Sequence, residues 1–243
     1  ASTRYPGKPL VPLKGVSGQE QSLIERSWRA ASEVRNADRV VVATDDARIR
    51  QAAEVFGAEV VMTSADCQNG TERCAEAHAA LGGGYDMVVN LQGDAPLTPP
   101  WFVEGLIDGL QADTKAQVAT PVLQCDGRAG RVGGTTAVFG RNRHALYFSK
   151  EVVPFTSRSY SAHDLTPVFH HVGVYAYRPA ALSAYAAWPV GPLEALEGLE
   201  QLRFLENGRP VLCVEVEARG RQFWELNNPE DVARLETMMA EMG

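Results

Sequence analysis

The sequence predicts an α/β fold in which a mainly parallel central sheet is covered by helices on both faces. Three observations carry this prediction. Short β-branched runs alternate with amphipathic helical patterns through the first half of the chain. The helical patterns carry their own capping and stop residues. One buried strand pattern ends in Gln92-Gly93-Asp94, at the strand end where such sheets bind ligands.

The elements follow in order. Residues 40–43 are a β-branched run, and Asp45 and Asp46 offer caps to a helix with Ile49, Ala52 and Phe56 on one face. Gly57 is a stop for that helix, and 59–62 is the next strand. Asn69 and Glu72 have capping-box spacing ahead of Cys74, Ala77 and Leu81, and Gly82-Gly83-Gly84 ends the helix. Val88-Val89-Asn90-Leu91 reads as a short buried strand that Pro96 forbids from continuing. Thr98 caps another helix, with Pro99 in its first turn and Phe102, Leu106 and Leu110 facing inward.

The second half is β-rich. Segments 118–122, 135–139 and 145–148 are short strand patterns with little helix between them, and 172–177 alternates with Tyr175 and Tyr177 on one face. Leu193, Leu196, Leu199, Leu202 and Leu205 predict one amphipathic helix. Segment 212–216 is a late strand, and Val232, Leu235, Met239 and Met242 stripe a terminal helix. No Pro/Ser-rich linker, repeat or low-complexity tract divides the chain, which predicts a single domain over 1–243 with a β-rich annex.

The composition narrows the class. At 243 residues the chain can bury a substantial core, and its net charge of −7 argues against a nucleic-acid binder while allowing a local basic pocket. Cys67, Cys74, Cys125 and Cys213 lack zinc-ligand spacing and are expected to be free thiols. No apolar run approaches the roughly 20 residues of a membrane span, and no signal peptide precedes the fold. A soluble, cytoplasmic protein is expected.

Some residue types suggest chemistry. Gly93 lets a ligand approach the backbone, and Asp94 can hold a hard cation such as Mg²⁺, although strand-Gly-Asp alone also describes an ordinary acidic turn. Arg4 and Lys8 bracket Pro6-Gly7, so both cations can face one cavity and an anionic partner, most simply a triphosphate. Without context the same loop is a solvated basic surface. The Walker A spacing is absent. Asn69-Gly70-Thr71-Glu72-Arg73 alone is a helix cap.

Taken in order, Ala1-Ser2-Thr3-Arg4-Tyr5-Pro6-Gly7-Lys8-Pro9-Leu10, Asn69 to Glu76, Val88 to Leu97, His170-His171-Val172-Gly173-Val174-Tyr175, Pro192-Leu193-Glu194 and Leu199-Glu200-Gln201-Leu202-Arg203 resemble the 3-deoxy-manno-octulosonate cytidylyltransferases, or CMP-Kdo synthetases. The resemblance covers nearly the whole chain. It implies a nucleotide-diphospho-sugar transferase-like fold whose β-rich annex helps to form a homodimer. It also implies transfer of CMP from CTP to a 2-keto sugar acid, Kdo, with release of pyrophosphate. The cofactor would be Mg²⁺, and the pathway that of a surface polysaccharide, lipopolysaccharide or capsule. Family members usually begin with a further β-strand just before the position of Ala1, and that strand is expected to have been trimmed from this sequence.

The same resemblance assigns roles. Arg4, Gly7 and Lys8 fall on the phosphate-binding loop. Asn69, Gly70, Thr71 and Arg73 fall on the loop that reads cytosine, with Asn69 in place of the usual Ser and Arg73 able to donate to a pyrimidine carbonyl. Asp94 matches the metal-binding aspartate and Gln92 a substrate or ribose contact, while Ala95 replaces a glutamate. Asn227 stands where the family has its second metal-binding aspartate, and Asn228 as N-cap with Pro229 in the first turn accounts for that segment structurally. His171, Tyr175, Glu200 and Gln201 match positions that hold the acidic sugar, and Lys150 stands where Arg is common. These departures leave two alternatives: the same chemistry on a sialic-acid-like or 8-amino-Kdo sugar, or a non-catalytic nucleotide-binding homologue.

Overall fold

The computed structural model describes residues 5, 7–16, 18–126, 134–220, 226 and 228–241. Arg4, Asn227 and Met242 lie outside the described residues. The chain opens with a 3₁₀ turn at Lys8–Leu10, then β1 (Pro12–Lys14), β2 (Glu20–Ser22), α1 (Leu23–Ser32), β3 (Val41–Thr44), α2 (Ala47–Val55), β4 (Glu59–Met62) and α3 (Gly70–Ala80). Next come β5 (Val88–Leu91), α4 (Pro100–Ala112), β6 (Val118–Asp126), β7 (Thr136–Phe139), β8 (Ala145–Ser149), β9 (Leu165–His171) and β10 (Val174–Tyr177). The chain closes with α5 (Pro179–Ala187), α6 (Pro192–Glu197), α7 (Leu202–Glu206), β11 (Val211–Glu215) and α8 (Asp231–Glu241).

These elements divide into two compact units whose chain segments interleave. Unit 1 comprises 1–83, 91–104 and 218–243, and unit 2 comprises 84–90 and 105–217.

In unit 1, β3 and β4 pair in parallel from Val41↔Glu59 to Thr44↔Met62, so both strands end at the same edge. α2 is capped as its sequence requires, with Asp46 accepting from the Arg48 amide. Its apolar side packs Ile49 and Phe56 against Val42, Ala53 and Ala58. A second cluster joins Leu13 and Leu23 to Leu97, Leu226 and the α8 residues Leu235, Met238 and Met239. Each fully buried leucine there contributes about 1.5–3 kcal/mol by leaving water. α1 and the β1–β2 hairpin did not emerge from periodicity, although Ser22 accepts from the Glu25 amide in a Ser-x-x-Glu cap that the sequence displays. α4 begins at Pro100, so Pro99 precedes the helix rather than opening it. A turn also separates Asn228 from α8, which starts at Asp231; the Asn228 amide donates to the Asp231 carboxylate at 2.8 Å.

The larger, 7-stranded sheet centres on β6. β11 runs parallel to it from Val211↔Val118 to Glu215↔Val122. Residues 118, 119 and 122 also pair antiparallel with β10 and β9, so β9 and β10 must lie end to end along the opposite edge. β10 then leads to β5, and β9 to β7 and β8. The sheet therefore forks at Thr120-Pro121. Proline has no N–H to give to a ladder, and the Pro121 carbonyl accepts from Val172 in the break between β9 and β10.

A mainly parallel sheet was expected; β3–β4 and β6–β11 pair in parallel. β7–β8, β7–β9 and both pairings of β6 with β9 and β10 are antiparallel. The reason is connection length. A parallel return needs a crossover of a dozen or more residues, whereas β7 and β8 are joined by a tight turn over 140–144. The leucine stripe is also corrected. It forms two short helices, α6 and α7, because Gly198 at φ 64° turns the chain left-handed after Glu197. Leu196 is consequently 83% exposed instead of facing a core.

Candidate active site

In unit 1, the turn after β5 presents Asp94. The Ala95 amide donates to the Gln92 carbonyl at 3.2 Å, and the Leu226 amide donates to the Asp94 carbonyl at 3.1 Å. Ser27 Oγ donates to the Gly93 carbonyl at 3.2 Å. A side chain at 93 would press on Ile24, so glycine there allows the close packing. The backbone of this turn is thus held from several sides, and Asp94 has little freedom to move.

Gly7, at φ 75°, starts the 3₁₀ turn that places Lys8. Lys8 Nζ donates to Asp94 Oδ2 at 2.6 Å, with both side chains largely buried. Asp94 Oδ1 is also buried, and no hydrogen-bond donor reaches it among the described residues. A buried carboxylate oxygen without a partner is costly, and a hard cation satisfies it well. The donor set therefore fits Mg²⁺ at Asp94. No group of three or more His, Cys, Asp or Glu that could hold a metal exists among the described residues. Asn227, the other expected ligand, follows Leu226 directly in sequence but lies outside the described residues.

The Asn69-to-Arg73 segment opens α3. Asn69 Oδ1 accepts from the Glu72 amide at 2.9 Å, the expected cap. The Glu72 carboxylate in turn accepts from the Gln68 amide at 2.8 Å. Thr71 is buried, and Gly70 begins the helix. Arg73 Nη1 donates to Thr63 Oγ1 at 2.5 Å and lies 3.3 Å from Asp45. Asp45 follows β3 and Thr63 follows β4, so Arg73 ties the two parallel strand ends together. Any contact from Arg73 to a base must use the rest of its fork of five N–H donors.

Unit 2 carries all five of the residues expected to hold the sugar, and brings His171, Tyr175 and Gln201 together. Tyr175 OH donates to Gln201 Oε1 at 3.1 Å, and the His171 and Tyr175 rings lie 5.5 Å apart. Gln201 is buried, and its Nε2 has no partner among the described residues. His171 Nε2 lies 2.9 Å from Thr120 Oγ1. That hydroxyl also faces the carbonyls of Val172 and Val174, at 3.2 and 2.9 Å. The hydroxyl has one proton for these three neighbours; when a carbonyl takes it, Nε2 is the protonated nitrogen and donates to Thr120 Oγ1. Burial, with the neighbouring His170, pushes His171 down to about 3. It is a neutral imidazole near neutral pH and acts by hydrogen bonding, not by charge.

Glu200 precedes Gln201 and is half-buried. Lys150 is exposed, its amide donates to Glu197 Oε2 at 3.0 Å, and its Nζ lies beside Gly198. Glu197 was not singled out from the sequence, where it reads as a solvated helix position. Thr120 was also missed, hidden within an apolar strand.

A model of the Cytidylyltransferase family matches residues 1–217. The chain belongs to the cytidylyltransferase family. It is a nucleotidyltransferase. A 3-deoxy-manno-octulosonate cytidylyltransferase of Maricaulis maris (strain MCS10) is 44% identical over 252 residues, covering 100% of this chain and 94% of the relative. The enzyme of that name from Zea mays is 39% identical, covering 98% of this chain and 78% of the relative. Among solved structures, a CMP:2-keto-3-deoxy-manno-octonic acid synthetase complexed with CTP superposes with a TM-score of 0.86 at 31% identity, over 100% of this chain and 95% of that one. This likeness to a cytidylyltransferase spans both units. No helix among the described residues is long and apolar enough to cross a membrane.

Proposed function

We propose that this cytidylyltransferase transfers CMP from CTP to Kdo, giving CMP-Kdo and pyrophosphate for surface polysaccharide synthesis. The observation that carries the reading is Asp94, held at the end of β5 with one oxygen on Lys8 and the other buried and open to a cation. The names of the relatives and the CTP complex of the structural neighbour support the choice of substrates.

The anomeric hydroxyl of the sugar attacks the α-phosphorus of CTP, a P–O bond forms, and the bond to the leaving pyrophosphate breaks. Asp94 would hold Mg²⁺, with Asn227 as a second, neutral oxygen. When bound, that ion neutralises charge on the phosphates. Lys8 gives one of its three N–H donors to Asp94 and keeps others for phosphate oxygens. Arg4 adds a forked contact on the same loop. Asn69, Gly70, Thr71 and Arg73 line the base side, and Gln92 contacts the ribose or the sugar. His171, Tyr175, Glu200, Gln201 and Lys150 hold the acceptor: neutral imidazole, amide and carboxylate address hydroxyls, and the ammonium addresses the acid. Positioning and charge stabilisation supply most of the rate.

The four cysteines are free, in keeping with a reducing cytoplasm. Exposed Leu146, Phe155, Leu165 and Leu196 in unit 2 support a homodimer that covers them. Purified protein given CTP, Mg²⁺ and Kdo should release pyrophosphate and form CMP-Kdo. The assay is run across a panel of 2-keto sugar acids, including sialic and 8-amino-Kdo acceptors, and all four nucleoside triphosphates. No pyrophosphate with any acid, or equal use of purine and pyrimidine triphosphates, overturns the reading.

A further inference from the structure

We infer that Glu197 is a positioning residue for the acceptor sugar, fixing the end of β8 and the turn that bears Glu200 and Gln201 in one arrangement. The inference rests on the reading that Gln201 and its neighbours hold the acceptor.

Glu197 is the last residue of α6, and Gly198 turns the chain directly into the segment that ends at Gln201, the N-cap of α7. Its carboxylate collects donors from a different element. Oε1 accepts from Ser149 Oγ at 2.7 Å and Tyr147 OH at 3.3 Å, and Oε2 accepts from the Lys150 amide at 3.0 Å. Tyr147 and Ser149 belong to β8, and Lys150 follows it.

The turn itself is rigid. Arg203 of α7 forks onto Glu194 of α6 at 2.6 and 2.7 Å, fully buried and 4.1 Å over the Tyr185 ring. Glu206 of α7 accepts from the Leu193 and Glu194 amides at 2.9 and 3.1 Å. Gly191 makes room for it, since a side chain there would overlap the Glu206 carboxylate. α6 and α7 thus form a closed clasp, which Glu197 joins to β8.

Lys150 is tied to this clasp through its backbone. Glu197 holds its amide, and its Nζ lies 3.0 Å from where a side-chain carbon at 198 would sit. Loss of the Glu197 carboxylate therefore loosens Lys150 and the Glu200-Gln201 turn together, without touching Asp94 or Lys8.

Glu197→Gln keeps the volume but removes the charge and leaves one acceptor oxygen where the carboxylate offered two to the Lys150 amide and the Ser149 and Tyr147 hydroxyls. The expected result is at least a tenfold rise in KM for the acceptor, KM for CTP within twofold of the parent, and a melting temperature within a few degrees. Ser149→Ala removes the 2.7 Å bond together with the 3.0 Å bond that Ser149 Oγ accepts from the Glu151 amide, and should move acceptor KM in the same direction. This variant carries the test if Glu197→Gln does not fold. The double variant should be no worse than Glu197→Gln, because both break one linkage. Gln201→Ala reports separately on the acceptor site. If Gln201→Ala raises acceptor KM while Glu197→Gln and Ser149→Ala leave it alone, Glu197 positions nothing. If both KM values rise together with a fall in melting temperature, its role is structural only and the inference fails. If Gln201→Ala has no effect, the acceptor reading itself falls and takes the inference with it.

Discussion

Asp94→Asn separates the two duties of this carboxylate. The substitution keeps the shape and one oxygen acceptor but leaves the Lys8 ammonium, only 11% exposed, without its counter-charge. At 2.6 Å and an effective dielectric near 20, the gross attraction is about 6 kcal/mol. Desolvation cancels much of it, and stripping one partner from a fully buried pair typically costs about 3–5 kcal/mol. Asp94 is 22% exposed, and Asn still accepts from Lys8, so the expected loss is smaller, about 2 kcal/mol. For a chain of this size that lowers the melting temperature by roughly 4–8 °C. Turnover should fall at least about a hundredfold, as for other lost charge contacts to a transition state. Melting followed by circular dichroism, without nucleotide or metal, reads the first effect. Pyrophosphate release at saturating Mg²⁺ reads the second. Lys8→Met combined with Asp94→Asn should recover most of the stability and none of the turnover. A melting temperature within about 1 °C of the parent, or a double variant no more stable than Asp94→Asn, would refute the ion-pair reasoning. Near-parental turnover would refute the metal assignment.

Three further outcomes are expected. His171 is neutral in the fold and titrates near 6.5 when unfolded, so protons favour the unfolded chain and stability should decline as pH falls from about 6.5 toward 3. Urea midpoints at pH 7 and pH 5 measure this. His171→Gln, which can still bond Thr120, should flatten the slope in part, leaving the share of His170, which burial also lowers. Arg73→Lys keeps the charge but loses the planar guanidinium whose Nη1 meets Thr63 and Asp45, so melting temperature and the preference for CTP over purine triphosphates should both drop; an unchanged preference removes Arg73 from base reading. Asn227→Asp should lower the half-saturating Mg²⁺ concentration about tenfold, on the order of 1 kcal/mol, and superimposable Mg²⁺ titrations would show that the residue does not serve the ion.

Local features were legible because their causes are local. Asp46 and Asn69 cap α2 and α3 through amides two and three residues away, and Glu59–Met62 is a strand on its own pattern. Asp94 was legible as a candidate because a strand end, a glycine and an acid adjoin in sequence. Its bond to Lys8 was not, since 86 residues separate them. Glu197 shows the same limit, with partners 47 to 50 residues away and no periodicity to announce them. Strand direction was also beyond reach. Alternation tells which face a side chain takes and not which way a neighbour runs, so β6 looked the same whether flanked by β11 in parallel or β9 in reverse. The leucine spacing misled at 193–205 because the break depends on the backbone of Gly198, not on the apolar residues around it.

The interleaving of the two units has a consequence for synthesis on the ribosome. Unit 1 takes its last segment from 218–243, and its core sets Leu13 and Leu23 against Leu235, Met238 and Met239 of α8. Those α8 residues are translated after all the others of this core. At roughly 5–20 residues per second, the stretch 105–217 alone takes about 6–23 s to make. Throughout that time the apolar surface around Leu13 and Leu23 waits without its closing helix. A fragment that stops before α8 should therefore leave this apolar surface uncovered and be prone to aggregate.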